Sequence, residues 1–211
     1  AEPANRRITV EGRGGEIPRG GTAAAPLELF VGNAGTAARF LTALVALGPG
    51  VYRIVGTDRM SERPQAPLIE ALRALGYRVD APGNCLPAVV HGGEPRRGHV
   101  AVSAAESSQF ASALLLAGHR DGWSVEVTGA DADEAPYIEM TRRMLAAFPH
   151  EGGTFAVEPD ASSASYIWGA AWIAARDRGP GWREATDVRV ANWPESGWQG
   201  DARFPGFLPL P

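Results

Sequence analysis

Lysine is absent from this sequence of 211 residues, whose 20 basic residues are all arginine. A Schiff-base lysine, a phosphate-loop lysine and a lysine acting as an acid are therefore excluded for this chain by itself. Cysteine is nearly absent as well, since Cys85 is the only one. An internal disulfide framework is thus excluded, and a reducing compartment such as the cytoplasm is the expected location.

Long hydrophobic runs and an excess of positive charge are also missing. No apolar run approaches the ~20 residues that cross a bilayer, and the first residues have no apolar signal-peptide core. The formal net charge of −4 disfavours a broad nucleic-acid footprint. We therefore expect neither a membrane nor a nucleic acid as a partner.

The sequence alternates short β-rich runs with helical periodicity, which predicts a mixed α/β fold, α/β or α+β in class. The same order of elements recurs, so we expect repeated folding units. Strands are predicted at residues 8–11, 27–31, 51–55, 77–80, 88–90, 100–102, 123–127, 154–157 and 188–190. Helices are predicted at residues 36–47, 65–75, 107–117, 136–148 and 162–175.

A glycine-rich turn and an arginine precede the first two predicted helices. The turn GNAGT (residues 32–36) lets a ligand approach the backbone and the free N–H groups of a helix start. Arg63, in RMSERP (residues 59–64), lies just before the second helix, where it could bind a phosphate or carboxylate. Each feature also has a structural explanation, as an ordinary turn and as a surface arginine paired with an acid.

Two further polar clusters begin later helices. Ser107, Ser108 and Gln109 bring two hydroxyls and an amide to a helix start, although simple capping needs only one serine. Tyr137 lies in the first turn of the next helix, where its hydroxyl could reach a ligand or its ring could pack half-buried. Together the clusters indicate an anionic, phosphorylated small molecule, with each charge-assisted hydrogen bond contributing roughly 1.5–3 kcal/mol.

These segments resemble, in order, the signatures of the 5-enolpyruvylshikimate-3-phosphate synthases. The matching segments are LFVGNAGTAAR (residues 29–39), RMSERP (59–64), SSQF (107–110), PYIEMT (136–141), EPDASSASY (158–166) and WQGD (198–201). They extend over nearly the whole chain. The resemblance implies the inverse α/β fold of the enolpyruvyl transferases, built from βαβαββ-like units in two lobes.

The resemblance also implies a reaction and the roles of several residues. In this family the 5-hydroxyl of shikimate-3-phosphate attacks phosphoenolpyruvate, and phosphate leaves from a tetrahedral intermediate; no cofactor and no metal is expected. Glyphosate occupies the phosphoenolpyruvate site in the family. By matching position, shikimate-3-phosphate would be held by Thr36, Ser107, Ser108, Gln109 and Tyr137. Phosphoenolpyruvate would be bound by Gly35, Arg63 and Gln109.

The chain also departs from the family pattern. The family's opening Lys-Ser…Arg segment has no match before Ile8, and its acids and bases lie in the other lobe, so no catalytic residue is assigned. We expect a fragment: residues 1–159 as a substrate-binding lobe with its first unit partly missing, and residues 160–211 as the beginning of a second lobe. The missing lobe or a second copy of the chain is the expected macromolecular partner.

Two positions carry unexpected side chains for this family. Glu134 stands where the family has a phosphate-binding serine, and a carboxylate there would repel a phosphate. Phe40 stands at a position often filled by proline, and it could alter the glycine-rich helix and the response to glyphosate.

Two other functions remain as alternatives. The UDP-N-acetylglucosamine enolpyruvyl transferases share the fold but carry a reactive Cys or Asp in the loop before the Arg-Pro pair. The corresponding loop here, residues 57–62, has no cysteine and contains Asp58. The second alternative is a non-catalytic module that binds a sugar phosphate.

Overall fold

The computed structural model describes residues 9–94, 96–119, 122–175 and 190–208. The chain divides into two compact units, Ala1–Gly129 and Ala130–Pro211. This division is not the one predicted between the two lobes at residue 159, and the lobe boundary stays a prediction.

The first unit is built on a four-stranded sheet whose spatial order is β1-β2-β4-β3. Strands β1 and β2 are parallel, whereas β4 is antiparallel to both of its neighbours, β2 and β3. The four strands are β1 (Leu27–Phe30), β2 (Gly50–Val55), β3 (Arg78–Asp80) and β4 (Ala88–Gly92).

Helices connect these strands in the order β-α-β-α-β-β. Helix α1 (Gly35–Ala46) links β1 to β2, and α3 (Ala66–Ala74) links β2 to β3 after a one-turn helix α2 (Asp58–Ser61). Gly76 ends the α3 segment with a positive φ of 88°, a backbone conformation that glycine adopts without strain. The βαβαββ unit predicted from the resemblance is therefore confirmed.

A second β-α-β element completes the first unit. Strand β5 (Gly98–Ser103), helix α4 (Gln109–Gly118) and strand β6 (Trp123–Thr128) follow one another, and β5 and β6 form a separate parallel pair. The pairing runs without interruption from Gly98 opposite Trp123 to Ser103 opposite Thr128. Helix α4 packs against α1, so the first unit contains two helices in contact, each starting within one of the predicted ligand-binding motifs.

The core of the first unit is apolar and lies between the helices and the sheet. Fully buried side chains come from the strands, from α3 and from α4: Ile54, Val90, Leu68, Leu72, Phe110 and Leu114. Burying each such side chain contributes about 1.5–3 kcal/mol, so these residues fix α3 and α4 in place.

The second unit contains α5 (Ala135–Ala147), α6 (Ala161–Ala175) and a 3-10 helix (Gly200–Phe207). Asp160 caps α6, since its Oδ1 accepts the backbone N–H groups of Ser162 (2.9 Å) and Ser163 (3.2 Å). Gln199 bridges this helix start, accepting from the Ala161 N–H at 2.9 Å and donating to the Pro159 carbonyl at 2.9 Å. None of the helices in the described ranges is both long enough and apolar enough to span a bilayer.

Two predicted strands are not strands in the structure. Residues 154–157 and residues 9–11 are irregular and have no ladder of hydrogen bonds to a neighbouring strand within the described residues. Val157 is 80% exposed, so apolar composition alone did not create a paired strand. A strand forms only when a partner completes its backbone hydrogen bonds. Residues 8, 188 and 189, which belong to predicted strands, lie outside the described residues.

Candidate functional site

The turns that follow β1 and β2 lie side by side because the two strands are parallel neighbours. The Val31 N–H donates to the Val55 carbonyl, and the Thr57 N–H donates to the Gly32 carbonyl, both at 2.9 Å. Gly32 has a φ of +57°, in the left-handed region that favours glycine. The glycine-rich turn and the arginine-containing turn are therefore held together at one edge of the sheet.

Arg63 lies directly over Gly35, the first residue of α1. A Cβ built on Gly35 would lie 2.6 Å from Nη2 of Arg63, closer than any real contact. Arg63 also donates from Nη1 to the Asn33 carbonyl at 3.2 Å. The first turn of α1 holds no acidic residue, so the guanidinium and the positive end of the helix dipole act on the same space. This arrangement can bind a carboxylate or phosphate.

Arg39 joins this pair of turns to the start of α4. Its Nη1 donates to Oε1 of Gln109 at 2.6 Å, and its Nη2 donates to the Pro64 carbonyl at 3.2 Å. Its guanidinium carbon lies 4.8 Å from the centre of the Phe110 ring, within cation–π range. Arg39, which is 3% exposed, thus connects Gln109 with the backbone beside Arg63. Arg63 in turn lies against Gly35, so the three predicted phosphoenolpyruvate residues belong to one connected set of contacts.

The hydroxyl residues predicted for shikimate-3-phosphate lie at two helix starts of the first unit. Thr36 is exposed in the first turn of α1, whereas Ser108 is buried at the N-cap position of α4. Ser107 Oγ accepts the Gln109 N–H at 3.3 Å, so one serine caps the helix as the simple explanation requires. The first turn of α4 also lacks acidic residues.

Tyr137 lies in the second unit, in the first turn of α5. Its hydroxyl donates to the two Asp201 carboxylate oxygens at 3.2 and 3.3 Å. Burial raises the pKa of the Tyr137 phenol, and the nearby charges of Asp201, Glu134 and Asp133 raise it further. A phosphate brought to this hydroxyl would meet those carboxylates as well. That Tyr137 and the serines of the first unit bind one ligand stays a prediction.

Two residues of these networks were not predicted as site residues. Arg39 falls within the apolar pattern of α1, beside buried Ala38, Thr42 and Ala43. A charged residue on the core face of a helix is rarely buried without a partner, and that placement was the available signal. Asp201 belongs to the WQGD segment, but its contact with Tyr137 spans 64 positions and leaves no local sequence signal.

Within the described part of the chain, the predicted ligand residues belong to no metal-binding cluster and do not line the apolar cavity of the second unit. Across the described ranges, no group of three or more His, Cys, Asp or Glu side chains could hold a metal ion. The second unit has a largely apolar cavity of about 410 Å³, whose lining also includes the polar residues Glu158, Asp160 and Gln199. None of the predicted ligand residues lines it.

The fold is built on a βαβαββ unit followed by a β-α-β element, and its candidate site is a pair of helix starts with the chemistry to hold an anion. A family model described as EPSP synthase (3-phosphoshikimate 1-carboxyvinyltransferase) matches residues 2–204. The chain belongs to the EPSP synthase family, as the resemblance of its motifs predicted.

Several proteins named 3-phosphoshikimate 1-carboxyvinyltransferase are similar to this chain. The protein of Trichormus variabilis is 37% identical over 193 residues, which cover 81% of this chain and 44% of the relative. The protein of Opitutus terrae is 38% identical over 209 residues, covering 88% and 46% respectively. This chain therefore spans less than half the length of the curated relatives it matches.

A solved structure supports the same fold. The structure of EPSP synthase from Acinetobacter baumannii is similar with a TM-score of 0.50 and 25% sequence identity. The similarity covers 70% of this chain and 37% of that one. The inverse α/β architecture predicted from the resemblance is accordingly confirmed at the level of the fold.

Proposed function

We propose that this chain supplies substrate-binding residues for enolpyruvyl transfer from phosphoenolpyruvate to the 5-hydroxyl of shikimate-3-phosphate. One connected set of contacts carries the proposal: Arg63 lies against Gly35, and Arg39 connects the backbone beside Arg63 with Gln109. Gly35, Arg63 and Gln109 are the three residues matched to phosphoenolpyruvate contacts. Membership of the family supports the choice of substrates.

The phosphoenolpyruvate anion would bind at the start of α1. Arg63 offers a planar guanidinium that can bind a carboxylate or a phosphate with two hydrogen bonds. The absence of a side chain on Gly35 lets that guanidinium lie against the helix start, and the free N–H groups there add partial positive charge. Gln109 adds an uncharged amide from α4, at the other side of Arg39.

Shikimate-3-phosphate would bind at the start of α4. Ser107 and Ser108 present hydroxyls there, and a phosphate would receive hydrogen bonds from hydroxyl and backbone donors at the positive end of the helix dipole. Thr36 offers a third hydroxyl from α1. Tyr137 is matched to the same ligand by the resemblance alone, and its hydroxyl already donates to Asp201.

The reaction would join the 5-hydroxyl oxygen to C2 of phosphoenolpyruvate and then expel phosphate from the tetrahedral intermediate. Proton transfer in such steps needs a positioned acid and base, and neither is assigned in this chain. We therefore expect recognition of both substrates and little or no turnover by the chain alone. A phosphate-release assay of the purified chain with both substrates checks the second expectation.

Calorimetric titration of the purified chain with each substrate tests the proposal. We expect saturable shikimate-3-phosphate binding that weakens in Ser107→Ala and survives in Arg63→Ala. Phosphoenolpyruvate should show the opposite pattern, weakening in Arg63→Ala and surviving in Ser107→Ala. Circular dichroism of each variant controls for folding. If neither substrate binds a folded wild-type chain, the proposal is wrong.

A further inference from the structure

Arg39 contacts two parts of the predicted phosphoenolpyruvate site. It is almost completely buried, and its two Nη groups reach the Gln109 side chain and the Pro64 backbone. Pro64 directly follows Arg63, so one guanidinium contacts the Gln109 side chain and the backbone next to Arg63. No ligand role is assigned to Arg39 itself by the matching motifs.

The chemistry of this contact fixes the orientation of the Gln109 amide. Arginine has five N–H donors and no acceptor. Only the carbonyl oxygen Oε1 of Gln109 can therefore face Arg39, and the distance of 2.6 Å is that of a short charge-assisted hydrogen bond. The amide nitrogen Nε2, with its two N–H donors, is left on the opposite side of Cδ from the contact with Arg39.

We propose that Arg39 is a positioning residue that holds Gln109 as a hydrogen-bond donor toward the substrate. Gln109 then donates from Nε2 to an anionic or hydroxyl oxygen of the ligand and is prevented from flipping to present its carbonyl. An amide free to flip would offer an acceptor half of the time, which an anion cannot use. This inference rests on the proposed function, because it specifies what one residue of that site does.

Two further contacts make the positioning rigid. The Phe110 ring lies 4.8 Å from the Arg39 guanidinium carbon, and the Pro64 carbonyl accepts the second Nη group at 3.2 Å. A guanidinium held on three sides loses little additional freedom when it pairs with Gln109. A lysine at this position would offer a compact ammonium group in place of the planar guanidinium. Arg39→Lys therefore keeps the positive charge but removes the fixed arrangement of N–H donors that orients Gln109.

The orientation can be measured without any ligand. The side-chain amide resonances of Gln109 are assigned in a nitrogen-15 NMR spectrum by their loss in Gln109→Met. We expect them to lie away from the range of exposed glutamine side chains and to move toward it in Arg39→Lys. Arg53→Lys is the matched control, because Arg53 pairs with the exposed Glu28, at 3.3 Å, on the surface of the same unit. Gln109 resonances unchanged in Arg39→Lys would overturn the inference.

A double-mutant cycle tests the consequence for binding. Phosphoenolpyruvate affinity is measured for wild type, Arg39→Lys, Gln109→Met and the double variant. We expect Gln109→Met to weaken binding about 10- to 100-fold, the effect of one charge-assisted hydrogen bond, and Arg39→Lys to weaken it several-fold. The double variant should bind like Gln109→Met, since Arg39 acts through Gln109. Independent, multiplying effects would mean that Arg39 has only a general structural role.

The two measurements separate failure of this inference from failure of the proposed function. If the folded wild-type chain binds neither substrate, the proposed function is wrong, and the amide resonances alone decide whether Arg39 orients Gln109. If phosphoenolpyruvate binds and Gln109→Met binds it equally well, the proposed function survives and the donor role of Gln109 is overturned.

Discussion

Gly35 and Arg63 occupy adjoining space so closely that a methyl group on the first would collide with the second. The built Cβ lies 2.6 Å from Nη2 and 2.8 Å from Nη1 of Arg63. Gly35 lies in a helix, where glycine is normally a poor choice by about 1 kcal/mol relative to alanine. The close approach of the guanidinium explains why a glycine is needed at this helix start.

Replacing Gly35 with alanine should therefore weaken phosphoenolpyruvate binding without lowering the stability of the fold. The helix is expected to gain a few tenths of a kcal/mol or remain unchanged, because Arg63 is flexible enough to move aside. Displacing Arg63 should weaken phosphoenolpyruvate binding about tenfold or more, by loss of a charge-assisted hydrogen bond. Calorimetry gives the affinity, and urea unfolding gives the stability. Gly93→Ala is the matched control, since a Cβ there meets nothing within 4 Å.

Removing the charge of Glu134 should change both the pKa of the Tyr137 phenol and the affinity of the protein for a phosphate ligand. The carboxylates around Tyr137 raise its pKa above the ordinary value, after the larger effect of burial. Glu134→Gln is expected to lower that pKa toward the ordinary value, and Asp201→Asn to lower it more, because Asp201 also accepts the phenol hydrogen bond. Ultraviolet titration above pH 9, with Tyr137→Phe as the reference, measures the change.

Shikimate-3-phosphate provides the second measurement at this position. Glu134→Ser removes a negative charge and restores a hydroxyl, so binding should become several-fold tighter if the phosphate lies near Tyr137. Glu151→Ser, which removes a distant exposed carboxylate from the same unit, controls for the change in net charge. Equal affinities of wild type and Glu134→Ser would place the phosphate away from this helix start.

Helix periodicity and turn chemistry predicted most of the first unit. The helix predicted at residues 36–47 is observed as Gly35–Ala46, and the one at residues 65–75 as Ala66–Ala74. These segments combine a clear apolar face with a glycine or proline at their ends, so local signals agree with tertiary packing. Residues 154–157 failed as a strand because a strand depends on a partner, which local sequence does not specify.

The candidate site was predicted less completely than the fold. The resemblance of the motifs identified Gly35, Arg63 and Gln109, but the contact of Gln109 with Arg39 depends on packing α4 against α1. That contact joins residues 70 positions apart in the sequence. A pattern of local spacing can place a polar residue at a helix start, whereas it carries no information on which distant residue will pair with it.

Gln65 is a buried amide that should cost stability. It is 2% exposed, and neither Oε1 nor Nε2 has a hydrogen-bond partner within the described part of the chain. An unsatisfied buried polar group costs about 1–3 kcal/mol. Gln65→Met preserves the shape and removes the polar atoms, so the free energy of unfolding in urea should rise by about 1 kcal/mol or more. Gln65→Glu, which buries a charge at the same place, should lower it; a Gln65→Met variant less stable than wild type would contradict this account.

Asp160 should make the stability of the second unit depend on pH. Its carboxylate accepts hydrogen bonds from the Ser163 hydroxyl and from the first N–H groups of α6, and these bonds lower the pKa of Asp160. A carboxyl group whose pKa is lower in the folded state than in the unfolded state stabilises the fold at any pH above the unfolded-state pKa, which is near 4. This contribution is lost as the pH falls through the folded-state pKa.

Replacing Asp160 with alanine should therefore destabilise α6 at neutral pH by about 1 kcal/mol, the usual effect of removing an N-cap. The difference from wild type should shrink as the pH falls from about 5 toward 2, because protonated Asp160 is a weaker acceptor. Asp160→Asn retains a capping oxygen that does not titrate, so its stability relative to Asp160→Ala should stay constant over the same range. Helix circular dichroism during urea unfolding at several pH values measures all three. A wild type whose advantage over Asp160→Ala does not change with pH would show that the charge of Asp160 has no part in capping α6.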